Sequence, residues 1–207
     1  MTLDRRRYLE LIDARITNPR SLQKALKKRV RRTVAGKDGK LMLLAADHTA
    51  RGIIAAGNNP TAIADRYVLL DKLVRGLSVA GVDGVMASAD ILEELAWLGA
   101  LEEKVAIGTM NRGGIIGASW ELDDRLTAYD AEHIKSMGLD GGKTLLRIDE
   151  TDPGVARTIE MVAQVTTQLA DLELVSMIEP LPYMKNADGR AILDPSEEKL
   201  IKVVSIA

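Results

Sequence analysis

Short apolar runs recur along the chain, and each is followed at its downstream end by ionisable or amide side chains. Leu41-Met-Leu-Leu-Ala-Ala46 runs into Asp47-His48, and Val105-Ala-Ile-Gly-Thr-Met110 into Asn111-Arg112. Thr144-Leu-Leu146 leads to Arg147-Ile-Asp149, and Leu174-Val-Ser-Met-Ile178 to Glu179. Runs of this length, rich in branched side chains and separated by amphipathic stretches, predict alternating strands and helices in a parallel sheet. In such architectures the carboxyl ends of the strands share one rim, where ligands and chemistry gather.

The spacing predicts strands at about 41–46, 82–87, 104–110, 143–148 and 174–179. Residues 3–34 read as one or two basic amphipathic helices, broken at Asn18-Pro19. Asn59-Pro60 offers a cap and first-turn proline for a helix reaching about residue 80. Ser88 caps a short helix that stops at Gly99, and Thr127 with Asp130 forms a capping box for the next. Asp152-Pro153 starts a long helix to about residue 172, and Asp194-Pro195 starts the last. The segment after residue 179, with Tyr183 and Lys185, reads as a long loop. Ala80-Gly-Val-Asp-Gly84 and Met137-Gly-Leu-Asp-Gly141 repeat one device at two helix-to-strand junctions. The first glycine of each suits a left-handed helix end, and the second turns the chain into the strand.

Five strand–helix units are therefore expected, about five-eighths of a closed eight-stranded barrel. The predicted architecture is an incomplete (β/α)8 TIM barrel over residues 37–207, preceded by a helical segment over residues 1–36.

Composition narrows the function classes. The chain has 207 residues, no cysteine, two histidines and a formal charge of −2. Thiolate chemistry and disulfides are excluded, and a histidine-based metal site is disfavoured. The absence of cysteine fits a reducing cytoplasm, and no stretch reads as a membrane span or a secretory signal. The basic run Lys24-Ala-Leu-Lys-Lys-Arg-Val-Arg-Arg32 lacks interleaved aromatic residues, so a solvated or subunit-contacting helix face is favoured over nucleic-acid binding. The loop Arg112-Gly-Gly-Ile-Ile-Gly117 is open to two readings, a phosphate cradle or a rim loop.

Strand alternation sorts the residues of strand four by face. Lys143, Leu145, Arg147 and Asp149 share one side, and Thr144, Leu146 and Ile148 the other. The apolar side should meet the helices, which aims Lys143 and Arg147 at the interior. Buried cations need partners, so either they pair with Asp47 or Glu179, or they receive an anionic carbonyl substrate. An interior lysine is a candidate nucleophile toward a carbonyl, with Asp47 or Glu179 moving protons. Arg147 is a candidate bidentate anion ligand, and Asn111 is placed to meet substrate hydroxyls.

These residues carry a family resemblance. Leu43-Leu-Ala-Ala-Asp-His-Thr-Ala-Arg51 resembles the strand-one motif of class I aldolases of the deoxyribose-phosphate and tagatose-bisphosphate aldolase superfamily. Gly138-Leu-Asp-Gly-Gly-Lys-Thr-Leu-Leu146 resembles its strand-four segment, and Met177-Ile-Glu-Pro-Leu181 its strand-five segment. The closest likeness is to the actinobacterial branch of that superfamily. The resemblance implies a TIM barrel, Schiff-base cleavage or formation of a carbon–carbon bond in a small phosphorylated sugar or sugar acid, no cofactor or metal, and a homo-oligomer. It places Asp47, Lys143 and Glu179 as catalytic residues and Arg51 as the residue orienting Asp47 and meeting substrate. In that family the Schiff-base lysine lies on strand six and the phosphate site on strands seven and eight, segments that would follow Ala207. The expectation is that the chain is a fragment of a longer enzyme, or that Lys143 does the covalent work. The alternative expectation is a non-catalytic truncated barrel or assembly subunit.

Overall fold

The computed structural model describes residues 2–36, 38–112, 115, 117–118 and 120–207. Among them are seven α-helices and a single sheet of six strands. The strands are β1 (Leu43–Ala46), β2 (Gly84–Ala87), β3 (Val105–Thr109), β4 (Gly141–Ile148), β5 (Val175–Lys185) and β6 (Ala191–Leu193), hydrogen-bonded in sequence order. The first five are parallel neighbours, and β6 pairs antiparallel to β5.

The sheet is an open half-barrel, which corrects the expected TIM barrel. Two features account for the difference. The parallel strands are too few to close on themselves, since closure of this kind takes eight. The step from β5 to β6 is a hairpin instead of a helical crossover, so the strand direction reverses there. Asn186 sets that hairpin, its Oδ1 accepting from the amides of Asp188 and Arg190, with Gly189 at a φ of 75°. The segment after residue 179, expected as a loop, is strand as far as Lys185. Pro180 and Pro182, at alternate positions, lack donors on one side only, and over that stretch β5 has a parallel neighbour on one side only.

Helices α1 (Arg5–Thr17) and α2 (Arg20–Lys28) break at Asn18-Pro19 as expected. Helix α3 (Arg66–Leu77) begins later than the Pro60 signal, because Asp65 accepts from the Val68 amide and caps it there. Helix α4 (Ala89–Trp97) follows Ser88, and α5 (Ala131–Ser136) is capped by Asp130 rather than Thr127. Helices α6 (Val155–Asp171) and α7 (Glu197–Ile206) complete the set. Of the glycine-rich loop, Gly113, Gly114 and Ile116 lie outside the described residues.

One hydrophobic cluster lies between the helices and the outer sheet face. It joins Leu11, Leu22 and Leu26 of α1 and α2 to Leu70, Ile91, Val85 and Ala106. A second joins Leu146 and Ile148 of β4 to Val155 and Val162 of α6. On the concave face Met86, Val105 and Ile107 form an apolar floor with Leu43 and Met177. The alternation expected for β4 therefore holds: Leu146 and Ile148 face helices, while Lys143 and Arg147 take the concave side.

The repeated Gly-x-Asp-Gly device locks the N-terminal arm onto this frame. Gly81 and Gly138 have φ of 88° and 70°, the left-handed helix ends expected of them. The second glycines act differently from expectation. A Cβ on Gly84 would lie 2.0 Å from the Val105 carbonyl oxygen, and one on Gly141 2.4 Å from that of Val175, so glycine permits close strand approach. Between them, Asp83 accepts from the Met42 amide and pairs with Arg32, while Asp140 accepts from the Ala106 amide and pairs with Arg29 and Arg31. The basic run is thus partly turned inward, with the Arg29 side chain fully buried.

Candidate active site

The turn after β1 and residues of β3, β4 and β5 converge above the apolar floor. Asp47 follows β1 directly, at the start of a 3-10 turn (His48–Arg51). Thr109 is the last residue of β3 and stands in register with Lys143 of β4. Glu179 of β5 is in register with Leu145, so it points to the same face one step further up.

Lys143 is fully buried, and its Nζ lies 2.9 Å from Asp47 Oδ2 and 2.5 Å from Glu179 Oε2. Burying an ammonium is costly without partners, and two carboxylates supply them. They differ in setting: Asp47 is 2% exposed, whereas the Glu179 side chain is 42% exposed. Among the described residues Asp47 Oδ1 accepts no hydrogen bond; it faces Arg51 Nη2 at 3.6 Å, and the buried Nε of Arg51 has no partner among them either. Burial pushes the Asp47 carboxyl up most strongly, but Lys143, Arg51 and His48 together outweigh it and hold the acid below its usual range. Thr109 Oγ1 reaches Asp47 Oδ2 at 3.5 Å and completes the wall. Sequence reasoning misses Thr109 because it sits inside an apolar run with no spacing signal of its own.

Arg147 belongs to a separate group. It lies four residues beyond Lys143, about 13 Å along the strand. Its Nη2 donates to Asp124 Oδ1 at 2.6 Å and to the Glu121 carbonyl, and its guanidinium lies 5.3 Å from the Tyr183 ring centre. Burial works against the guanidinium charge, and Asp124 more than offsets it, keeping Arg147 above its usual value. The residue anchors the 121–124 segment over β4. Nothing in the spacing of Glu121 or Asp124 marks them as its partners.

Asn111 is engaged by backbone. Its Nδ2 donates to the carbonyls of Asp124 and Leu145, and its Oδ1 accepts from the Leu145 amide. It stitches the end of β3 to β4. Thus Asp47, Lys143 and Glu179 come together with Arg51 at their edge, while Asn111 and Arg147 support the rim. His133 lies on an exposed helix face and His48 on the rim, 3.8 Å from Asp47 Oδ1. Among the described residues no three His, Asp or Glu side chains gather as a metal site, and no helix is long and apolar enough to cross a membrane.

The family model described as Cgl0159-like matches residues 39–207. The chain belongs to the Cgl0159-like family. Among solved structures it is similar to Cgl0159 from Corynebacterium glutamicum (Brevibacterium flavum), at 40% identity and a TM-score of 0.94. That alignment covers 99% of this chain and 69% of the Corynebacterium chain. No curated protein matches. Neither the family's name nor that of the Corynebacterium protein states an activity or a link to class I aldolases.

Proposed function

We propose that this protein carries an aldolase-type carbon–carbon lyase centre for a small phosphorylated sugar or sugar acid, with Asp47, Lys143 and Glu179 as reacting groups. The observation behind this reading is one fully buried amine held between two carboxylates of unequal exposure. Glu179, the more exposed, takes a proton from Lys143 Nζ, and the freed amine adds to the substrate carbonyl. Glu179 returns the proton to the carbinolamine hydroxyl, water leaves, and an iminium ion forms on Lys143. Asp47, held ionised, takes the proton of the hydroxyl beyond the scissile bond. The bond's electron pair moves into the iminium, giving an enamine and an aldehyde. Asp47 then protonates the enamine carbon, and hydrolysis frees the ketone and restores Lys143. Arg51 holds Asp47 in orientation and offers its Nε, unpartnered among the described residues, to a substrate oxygen.

A second reading is favoured by the same contacts. Lys143 clasped by two carboxylates has the surroundings of a fixed ammonium, which would polarise a carbonyl while another lysine does the covalent work. Borohydride reduction in the presence of dihydroxyacetone phosphate separates the two. A reduced adduct on Lys143, absent in Glu179→Gln, is the outcome expected of the first reading. An adduct on another lysine supports the second. No adduct and no aldol cleavage would leave only a non-catalytic subunit.

A further inference from the structure

The structure holds a second cavity that the lyase reading does not use. It has a volume of about 1020 Å³ and lies between residues 117–118 and 120–126, the first turns of α6 and the β5–β6 hairpin. None of Asp47, Thr109, Lys143 or Glu179 lines it. Its size is that of a small-molecule site, since such pockets run to about 1,000 Å³.

The lining carries four acids and four cations, but they are unevenly paired. Asp123 is paired with Arg125 and Asp152 with Lys185. Asp124 and Glu121 are both committed to Arg147 behind the wall. Every acid on the lining thereby has a cationic partner, with Glu121 and Asp124 sharing Arg147. Arg157 and Arg190 also line the cavity, and among the described residues neither side chain has an acidic partner. Two guanidinium groups are left over, facing a space whose remaining walls include Trp120, Leu126, Met161 and Ile192. Trp120 is 53% exposed, Ile192 41% and Leu126 38%. Large apolar side chains left uncovered beside guanidinium groups that make no ion pair suit a ligand with both an anionic and a flat apolar part.

We infer that this cavity is an accessory binding site for a small phosphomonoester bearing a planar apolar group. The two guanidinium groups hold the dianionic phosphate in the forked geometry that arginine favours, and the indole of Trp120 covers the planar part. The site stands apart from the Lys143 centre, so it holds or fails independently of the lyase reading.

Isothermal titration of the intact protein with phenyl phosphate, inorganic phosphate and phenol tests it. Phenyl phosphate is expected to bind saturably, inorganic phosphate more weakly, and phenol not at all. Arg157→Gln with Arg190→Gln should weaken phenyl phosphate at least about tenfold, two charge-assisted contacts being lost. Both side chains are exposed, so the fold should persist, and an unchanged melting curve verifies this. Trp120→Ala should weaken phenyl phosphate while leaving inorganic phosphate unchanged. Glu179→Gln should alter neither. The inference is overturned if phenyl phosphate shows no saturable heat, if the double arginine variant binds it as the parent does, or if Glu179→Gln abolishes the binding.

Discussion

Replacing Lys143 by methionine removes the ammonium while keeping much of the side-chain volume, and so isolates the charge at the centre of the candidate site. Asp47, 2% exposed, would keep its carboxyl in the same buried position with its strongest partner gone. Deleting one partner of a buried ion pair costs about 3–5 kcal/mol, or about 6–20 °C of melting temperature in a chain of this size. The loss at Glu179 adds little, because that side chain is 42% exposed and water screens it. The pH dependence should change sign. In the parent, Asp47 is held below its usual range, so its contribution is present above the unfolded carboxyl value and lost as pH falls through the folded one. Burial is the largest influence on Asp47, and Lys143 supplies both a charge and a hydrogen bond against it. Without Lys143 the carboxyl rises, the penalty is greatest at neutral pH, and the gap to the parent narrows as protonation relieves it. Adding Asp47→Leu removes the orphaned acid and should recover most of the loss. Urea melts of the parent, the single and the double variant from about pH 8 to pH 5 measure all three effects. A gap that stays constant with pH, or a double variant no more stable than the single, would refute the reasoning.

Three further outcomes follow from the frame. Asp140→Ala strips the fully buried Arg29 side chain of its carboxylate, leaving it the carbonyls of Lys104 and Gly138, and frees the Ala106 amide, so urea melts should show a loss of about 3–5 kcal/mol. Gly84→Ala places a methyl 2.0 Å from the Val105 carbonyl oxygen, which a backbone cannot yield cheaply; soluble yield and melting temperature should both fall sharply. Asn111→Ala unstitches β3 from β4 and leaves the buried Leu145 amide and carbonyl unpaired, costing about 1–3 kcal/mol each, with faster hydrogen exchange at Leu145.

Much of the frame is legible in the order of residues alone. The parallel strands β1 to β5, the break at Asn18-Pro19 and the left-handed glycines at 81 and 138 all rest on local signals: runs of branched apolar residues, proline, and glycine at positive φ. The face-sorting of β4 is legible too, since side chains alternate along any strand and an apolar row must seek the helices. That puts Lys143 on the concave side, where Asp47 just past β1 and Glu179 within β5 also lie.

Closure is not legible in the same way. Whether five parallel strands belong to a ring or to an open half-barrel depends on how the sheet ends, and prolines 180 and 182 disguise the strand that turns back. Partner choice is equally hidden. Lys143 and Arg147 share a strand face, yet one meets Asp47 and Glu179 while the other is claimed by Asp124. Local chemistry governs which residues extend, coil or turn, because those preferences act over a few neighbouring dihedrals. Ion pairs that span 96 or 23 residues are settled only when distant segments are packed and dried together, and one chain's spacing carries no record of that.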